Sequence, residues 1–171
     1  MGYFLGKGSL AQLVGVHPEL GFMCSEAIKI TKQDFTVHDG IRTTEQQKRM
    51  VATGASKTMD SLHLYGLAVD LVPFINGAPR WEEEPLRHII TACKQVIRTH
   101  GLKIDNGYDL WGWDKWHWQM TDHKSEYDIR KLKHELGGTS KSSPAEPEVT
   151  AADLENLANA FIQIIKNIRS S

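Results

Sequence analysis

The stretch DSLHLYGLAVDLVP, positions 60 to 73, constrains this chain more than any other. It is a run of core-forming residues that carries an imidazole, His63, and a carboxylate, Asp70. Such groups are expensive to bury unless something pairs with them. Alternating valines in LAVDLVPF predict a strand, with Pro73 closing it. A separation of seven would point His63 and Asp70 to opposite faces of one straight strand, so a bend must intervene, and Gly66 is the natural place. Past that bend Asp70 shares a face with Ala68 and Val72, leaving Leu67, Val69 and Leu71 to fill the core.

WDKWHWQM, at 113 to 120, poses the same question. A strand over HWQM directs His117 and Gln119 one way and Trp118 and Met120 into packing, with Asp114 in the loop before it. If His63, Asp70 and His117 meet on one ion, two imidazoles and one carboxylate leave an open coordination position, the catalytic rather than the structural zinc arrangement. Asp114 is then placed as general base and acid. Arg42, in GIRTT, is the candidate cation for an oxyanion or a substrate carboxylate. Each half of the pattern alone is equally explained by a satisfied structural His and an edge Asp. His17, His38, His88, His100 and His134 have no partner at ligand spacing and read as surface or capping residues; His123 stands near the second motif. Trp111, Trp113, Trp116 and Trp118 read either as the lining of a glycan or peptide groove or as core.

Around these motifs the spacing predicts an α+β domain, helices packed on a small sheet. Ser9 is placed to cap a short first helix, and Pro18 opens a second whose face carries Leu20, Cys24, Ala27 and Ile28. Phe35 and Val37 alternate as a short strand. Thr43 with Gln46 forms a capping box for a helix stopped at Gly54. NGAP at 76 to 79 supplies a turn. Glu82, Glu83 and Glu84 sit at the positive end of a helix striped by Leu86, Ile89, Ile90, Cys93, Val96 and Ile97 and ended by His100-Gly101.

Residues 1–136 are expected to form the catalytic domain and 137–150, GGTSKSSPAEPEVT, a flexible linker. An amphipathic helix over 151–171, opened by Thr150 and Asp153, carries Leu154, Leu157, Ala158, Phe161, Ile165 and Ile168 on one face. It is expected to dock back on the domain or to self-associate, with targeting of a partner or envelope surface as the alternative. The formal charge of -1 over 171 residues gives no footprint for nucleic acid or an anionic membrane. Cys24 and Cys93 read as core filler. The N-terminus has no secretory pattern, and the longest uncharged runs are about half of the roughly 20 residues a bilayer requires. A chain made in the cytoplasm, without membrane insertion, is expected.

SLHLYGLAVDLVP resembles the S-x-H-x-x-G-x-A-x-D signature of the zinc D-Ala-D-Ala carboxypeptidase and dipeptidase family, and DKWH resembles its later acid-x-x-H motif. LVGVHPEL, DFTVHDGIRT, ATGASKTMDSLH and LVPFINGAPRW are together similar to the phage endolysin branch, the L-alanyl-D-glutamate endopeptidases, over about residues 9 to 120. The resemblance implies a compact α+β fold whose small antiparallel sheet carries one catalytic zinc ion, held by His63, Asp70 and His117. It implies Asp114 as the catalytic acid/base, Arg42 at the substrate, and Ser56, Ser61 and Gln46 as further substrate-binding positions. It also implies hydrolysis of the L-alanyl-D-glutamate bond of the peptidoglycan stem peptide during phage lysis, the enzyme leaving the host cytoplasm through a holin-type lesion. D-glutamate linked onward through its side chain keeps a free carboxylate beside that bond, which Arg42 would clamp. The competing expectations are a D-Ala-D-Ala carboxypeptidase on the same scaffold and a non-catalytic, zinc-stabilised wall-binding module.

Overall fold

The computed structural model describes residues 2–122, 124–135 and 150–169; the expected linker, apart from Thr150, and His123 lie outside the described residues. Two helices come first, α1 (Lys7–Leu13) and α2 (Pro18–Ile30), followed by β1 (Phe35–Asp39) and α3 (Thr44–Ala52). A 3-10 turn over Leu62–Tyr65 leads into β2 (Ala68–Ile75), β3 (Ala78–Pro79) and α4 (Glu83–His100). Then come β4 (Ile104–Asn106), α5 (Gly107–Trp111), β5 (His117–Met120), α6 (Lys124–Glu135) and α7 (Ala151–Arg169). The expected α+β class holds. The antiparallel strands run β1-β2-β5-β4, with β3 pairing the far end of β2.

The β2 strand is central, and Ala68 through Pro73 are buried on both of its faces. Leu67, Val69 and Leu71 are fully buried in the main core with Leu86, Ile89 and Cys93 of α4 and Leu20, Met23 and Cys24 of α2. Each such leucine or isoleucine contributes roughly 1.5–3 kcal/mol by leaving water. The bend at Gly66 is real: its φ of 66° lies in the left-handed region, and a Cβ there would come within 2.7 Å of the Gly15 carbonyl oxygen. Both features favour glycine.

Two local expectations are corrected, and one helix is added. Pro73 does not close β2, which runs to Ile75. Its carbonyl accepts from the Arg80 N–H on the β3 side, while the ladder bond to β1 is made by the Phe74 N–H to Asp34. Its missing donor therefore removes nothing from the β1 ladder. The β2–β3 connection is the two-residue turn Asn76-Gly77, both at positive φ. Ser9 caps nothing; α1 begins after Gly6, and the buried Ser9 hydroxyl accepts the Val37 N–H at 3.1 Å, tying α1 to β1. Finally, α6 was not anticipated, because its residues are largely exposed. It is held by polar contacts: Arg130 donates to the Gly15 and Tyr65 carbonyls, and the Tyr127 and Tyr65 hydroxyls both donate to Asp60.

The capping boxes at Thr43/Gln46 and Thr150/Asp153 form as expected. On α7, Leu157, Phe161 and Ile164 pack on the core, and Phe161 meets Phe22 of α2 edge-on with centroids 6.1 Å apart. Gly21 makes room for it, since a Cβ there would lie 3.0 Å from the Phe161 ring. Among the described residues no helix is long and apolar enough to cross a membrane.

Candidate active site

Three elements bring His63, Asp70 and His117 together. The 3-10 turn that carries His63 is capped by the Ser61 hydroxyl, which accepts the His63 N–H at 3.4 Å, and is ended by left-handed Gly66. Asp70 and His117 are directly opposed in the β2–β5 ladder. The result is a buried cluster: His63 Nε2 lies 3.2 Å from His117 Nδ1 and 3.3 Å from Asp70 Oδ1, and His117 Nδ1 lies 3.2 Å from the same oxygen.

The outward nitrogens decide what this cluster accepts. His63 Nδ1–H donates to the Gly40 carbonyl at 2.8 Å and His117 Nε2–H to Gln119 Oε1 at 3.1 Å, tautomers assigned from these partners. Both inward nitrogens are thereby left with lone pairs, facing a carboxylate oxygen. Three acceptors turned on one another require positive charge between them, and a divalent cation supplies it. The same demand appears in the titration. Burial pushes the Asp70 carboxyl up, but the imidazoles of His63 and His117 overrule it and hold it well below the carboxylate range. Burial lowers His117, and the hydrogen bond and charge of Asp70 raise it above the ordinary histidine value. The three residues could hold one metal ion, their ligand atoms lying within 4.8 Å of one another.

Around the cluster, Arg42 is buried and heavily engaged. Nη2 donates to Asp70 Oδ2 at 2.7 Å and to Asp39 Oδ2 at 2.8 Å, and Nε donates to the same Asp39 oxygen at 3.2 Å. A bulge in β1 between Val37 and Asp39 turns Asp39 toward it. Nη1 lies 3.4 Å from Gln47 Oε1, and Gln47 Nε2 donates to Ser56 Oγ at 2.8 Å and the Thr58 carbonyl at 2.7 Å. Gln47 is fully buried. The structure therefore corrects the expectation for Gln46: its side chain closes the capping box on the Thr43 N–H, outside the groove lining, and its neighbour, turned inward one position on, supports the site. Ser56 and Ser61 both line the groove.

Asp114 reaches the same groove from the loop after α5. Asn106 pins that loop, its Nδ2 donating to the Lys115 and His117 carbonyls at 3.0 Å each. Gly107 permits the tight return, since a Cβ there would lie 2.6 Å from the Asp114 carbonyl oxygen. Burial first and the negative charge of Asp70 second raise the Asp114 pKa, outweighing the opposing pull of the His117 imidazole and of the backbone N–H groups of His117 and Trp116. Of the residues missed in the sequence, Gln119 had its face predicted but not its partner, and Asn106 and Gln47 gave no signal.

The groove holds about 680 Å³. Trp111 and Trp113 stack at 5.9 Å along one side, with Trp111 5.4 Å from the His117 ring. Trp81, not singled out in the sequence, stands edge-on to the partly buried Trp116 at 5.0 Å. Trp118 alone of the four expected tryptophans is core. A second cleft, about 630 Å³ under α6, has no convergent metal donors among its described lining residues. As expected of a capping residue, His17 accepts the Glu19 N–H at the start of α2.

Residues 1–132 match the model of a family described as phage L-alanyl-D-glutamate peptidase. The chain is 35% identical over 113 residues to the L-alanyl-D-glutamate peptidase of Escherichia phage T5, covering 64% of its own length and 82% of the relative's. It is similar in structure to the L-Ala D-Glu endopeptidase ChiX of Serratia marcescens, with a TM-score of 0.63 and 30% identity over 71% of this chain and 91% of that one. The chain belongs to the phage L-alanyl-D-glutamate peptidase family.

Proposed function

We propose that this protein is a zinc-dependent endopeptidase that hydrolyses the L-alanyl-D-glutamate bond of the peptidoglycan stem peptide to lyse a phage-infected cell. The observation that carries the reading is the convergence of His63, Asp70 and His117 in a groove that Asp114 also lines. The names of the relatives supply the bond. Zinc, the ion that suits two imidazoles and a carboxylate, supplies Lewis-acid polarisation of the scissile carbonyl when bound.

This chain's residues do the rest. Asp114, its pKa raised, takes the proton from the attacking water and returns it to the departing amine of D-glutamate. Gln119 and the Gly40 carbonyl hold the two imidazoles in orientation. Arg42 fixes the second oxygen of Asp70 and lends its positive charge to the oxyanion side of the groove. The aromatic wall seats the peptide and limits water. The enzyme reaches the wall from the host cytoplasm through a holin-type lesion.

The test is mass spectrometry of fragments released from purified peptidoglycan. A new N-terminal glutamate, lost on chelation and restored by zinc, is the expected result. Release of terminal D-alanine instead would make the protein a carboxypeptidase, and no release by the zinc-loaded protein would leave a wall-binding module.

A further inference from the structure

The endopeptidase reading, on which this inference rests, leaves one charge unanswered. A D-glutamate linked onward through its side chain brings a free α-carboxylate to a groove already lined by Asp70 and Asp114. Like charges in a partly desolvated groove repel strongly, and with zinc committed to its ligands and the scissile bond a second cation is required.

Arg42 is poorly placed to serve. It is 8% exposed, and its Nε and Nη2 already bond Asp39 and Asp70 while Nη1 faces Gln47. An incoming carboxylate would compete for protons in use and meet the oxygens of two acids. Among the described residues that line the groove, the other cation is Lys57. It is exposed and, among the described residues, forms no ion pair; its Nζ rests 5.0 Å over the ring of Trp113. An exposed cation–π contact is worth only about 0.5–1 kcal/mol and is readily exchanged for a carboxylate.

The loop beneath Lys57 is anchored. The Ser56 N–H donates to the Met50 carbonyl at 3.0 Å, and Gln47 binds both the Ser56 hydroxyl and the Thr58 carbonyl. A four-carbon stem on a fixed base gives the ammonium several ångströms of sweep without reordering the backbone. We propose that Lys57 receives the α-carboxylate of the substrate's D-glutamate and so selects the free acid over its carboxamide.

The test compares two peptides, N-acetyl-L-alanyl-γ-D-glutamyl-L-lysine and its D-isoglutaminyl counterpart, cleaved by the full-length zinc-loaded protein. The wild type is expected to prefer the free acid about tenfold in kcat/KM, as a charge-assisted contact warrants. Lys57→Met is expected to erase that preference through KM, Lys57→Arg to keep it, and Lys57→Glu to reverse it. A preference absent from the wild type, or retained by Lys57→Met, overturns the assignment of Lys57 while leaving the endopeptidase standing. Cleavage of neither peptide by the wild type overturns the endopeptidase reading, and the proposal with it.

Discussion

Replacing Gly40 with alanine reaches the metal cluster without touching a ligand. The Gly40 N–H donates to Gln12 Oε1 at 3.2 Å, and its carbonyl accepts from His63 Nδ1 at 2.8 Å. A Cβ at this position would lie 1.9 Å from the carbonyl oxygen of Gln12 in α1, and ordinary contact begins at 3.4 Å, so the two segments must separate by about 1.5 Å. Because the obstacle is backbone, no rotamer change relieves it. Overpacking of this kind costs about 3 kcal/mol. At roughly 2–4 °C per kcal/mol for a chain of this size, Gly40→Ala should melt about 6–12 °C below wild type.

If half of that separation falls along the bond from Gly40 to His63, 2.8 Å becomes about 3.5 Å and the bond is lost. Without it the His63 ring is no longer oriented, and zinc affinity should fall roughly 10–100-fold. Gly8→Ala is the control. It lies in the same α1, where an added Cβ meets nothing within 4 Å, so it should stabilise by about 0.5–1 kcal/mol. Calorimetric melting of the metal-free proteins and titration against a chromogenic chelator measure both effects. A Gly40→Ala protein that melts with the wild type and binds zinc as tightly refutes the reasoning.

Gln119→Leu frees the outer nitrogen of His117 and should weaken zinc binding by roughly 10–100-fold with little change in melting of the metal-free protein, read by the same titration. Asp114→Asn should retain stoichiometric zinc while kcat falls by about 10²–10⁴, read by peptide cleavage and metal analysis; full activity would remove Asp114 from the chemistry. Asp60 is held below the ordinary carboxylate range chiefly by the Tyr127 hydroxyl and then by Tyr65. A depressed acid contributes stability above its unfolded pKa and loses it as pH falls through the lowered one. Asp60→Asn should therefore melt about 2–4 °C below wild type at neutral pH, about 1 kcal/mol once its half-exposure is allowed for. The gap should close in melting curves taken below the ordinary carboxylate range, and a gap that persists there would count against the Asp60 cluster.

By itself the sequence determined whatever depends on period and on neighbours within a few residues. The alternation in LAVDLVPF placed Asp70 and the buried leucines on opposite faces, Gly66 marked the bend that lets His63 precede them, and the caps at Thr43 and Thr150 were readable because both partners lie three residues apart. Tertiary structure decided what depends on partners brought from far along the chain. The Ser9 hydroxyl left capping for the Val37 N–H, 28 residues away, because burial made that unpaired donor more costly than an uncapped helix end. Arg42 was legible as a cation near substrate, but the bulge that turns Asp39 upon it, and the register that sets Asp70 beside it, exist only in the folded sheet. For the same reason Gln47 rather than Gln46 supports the site, since adjacent helix positions point about 100° apart and only packing fixes which one faces inward.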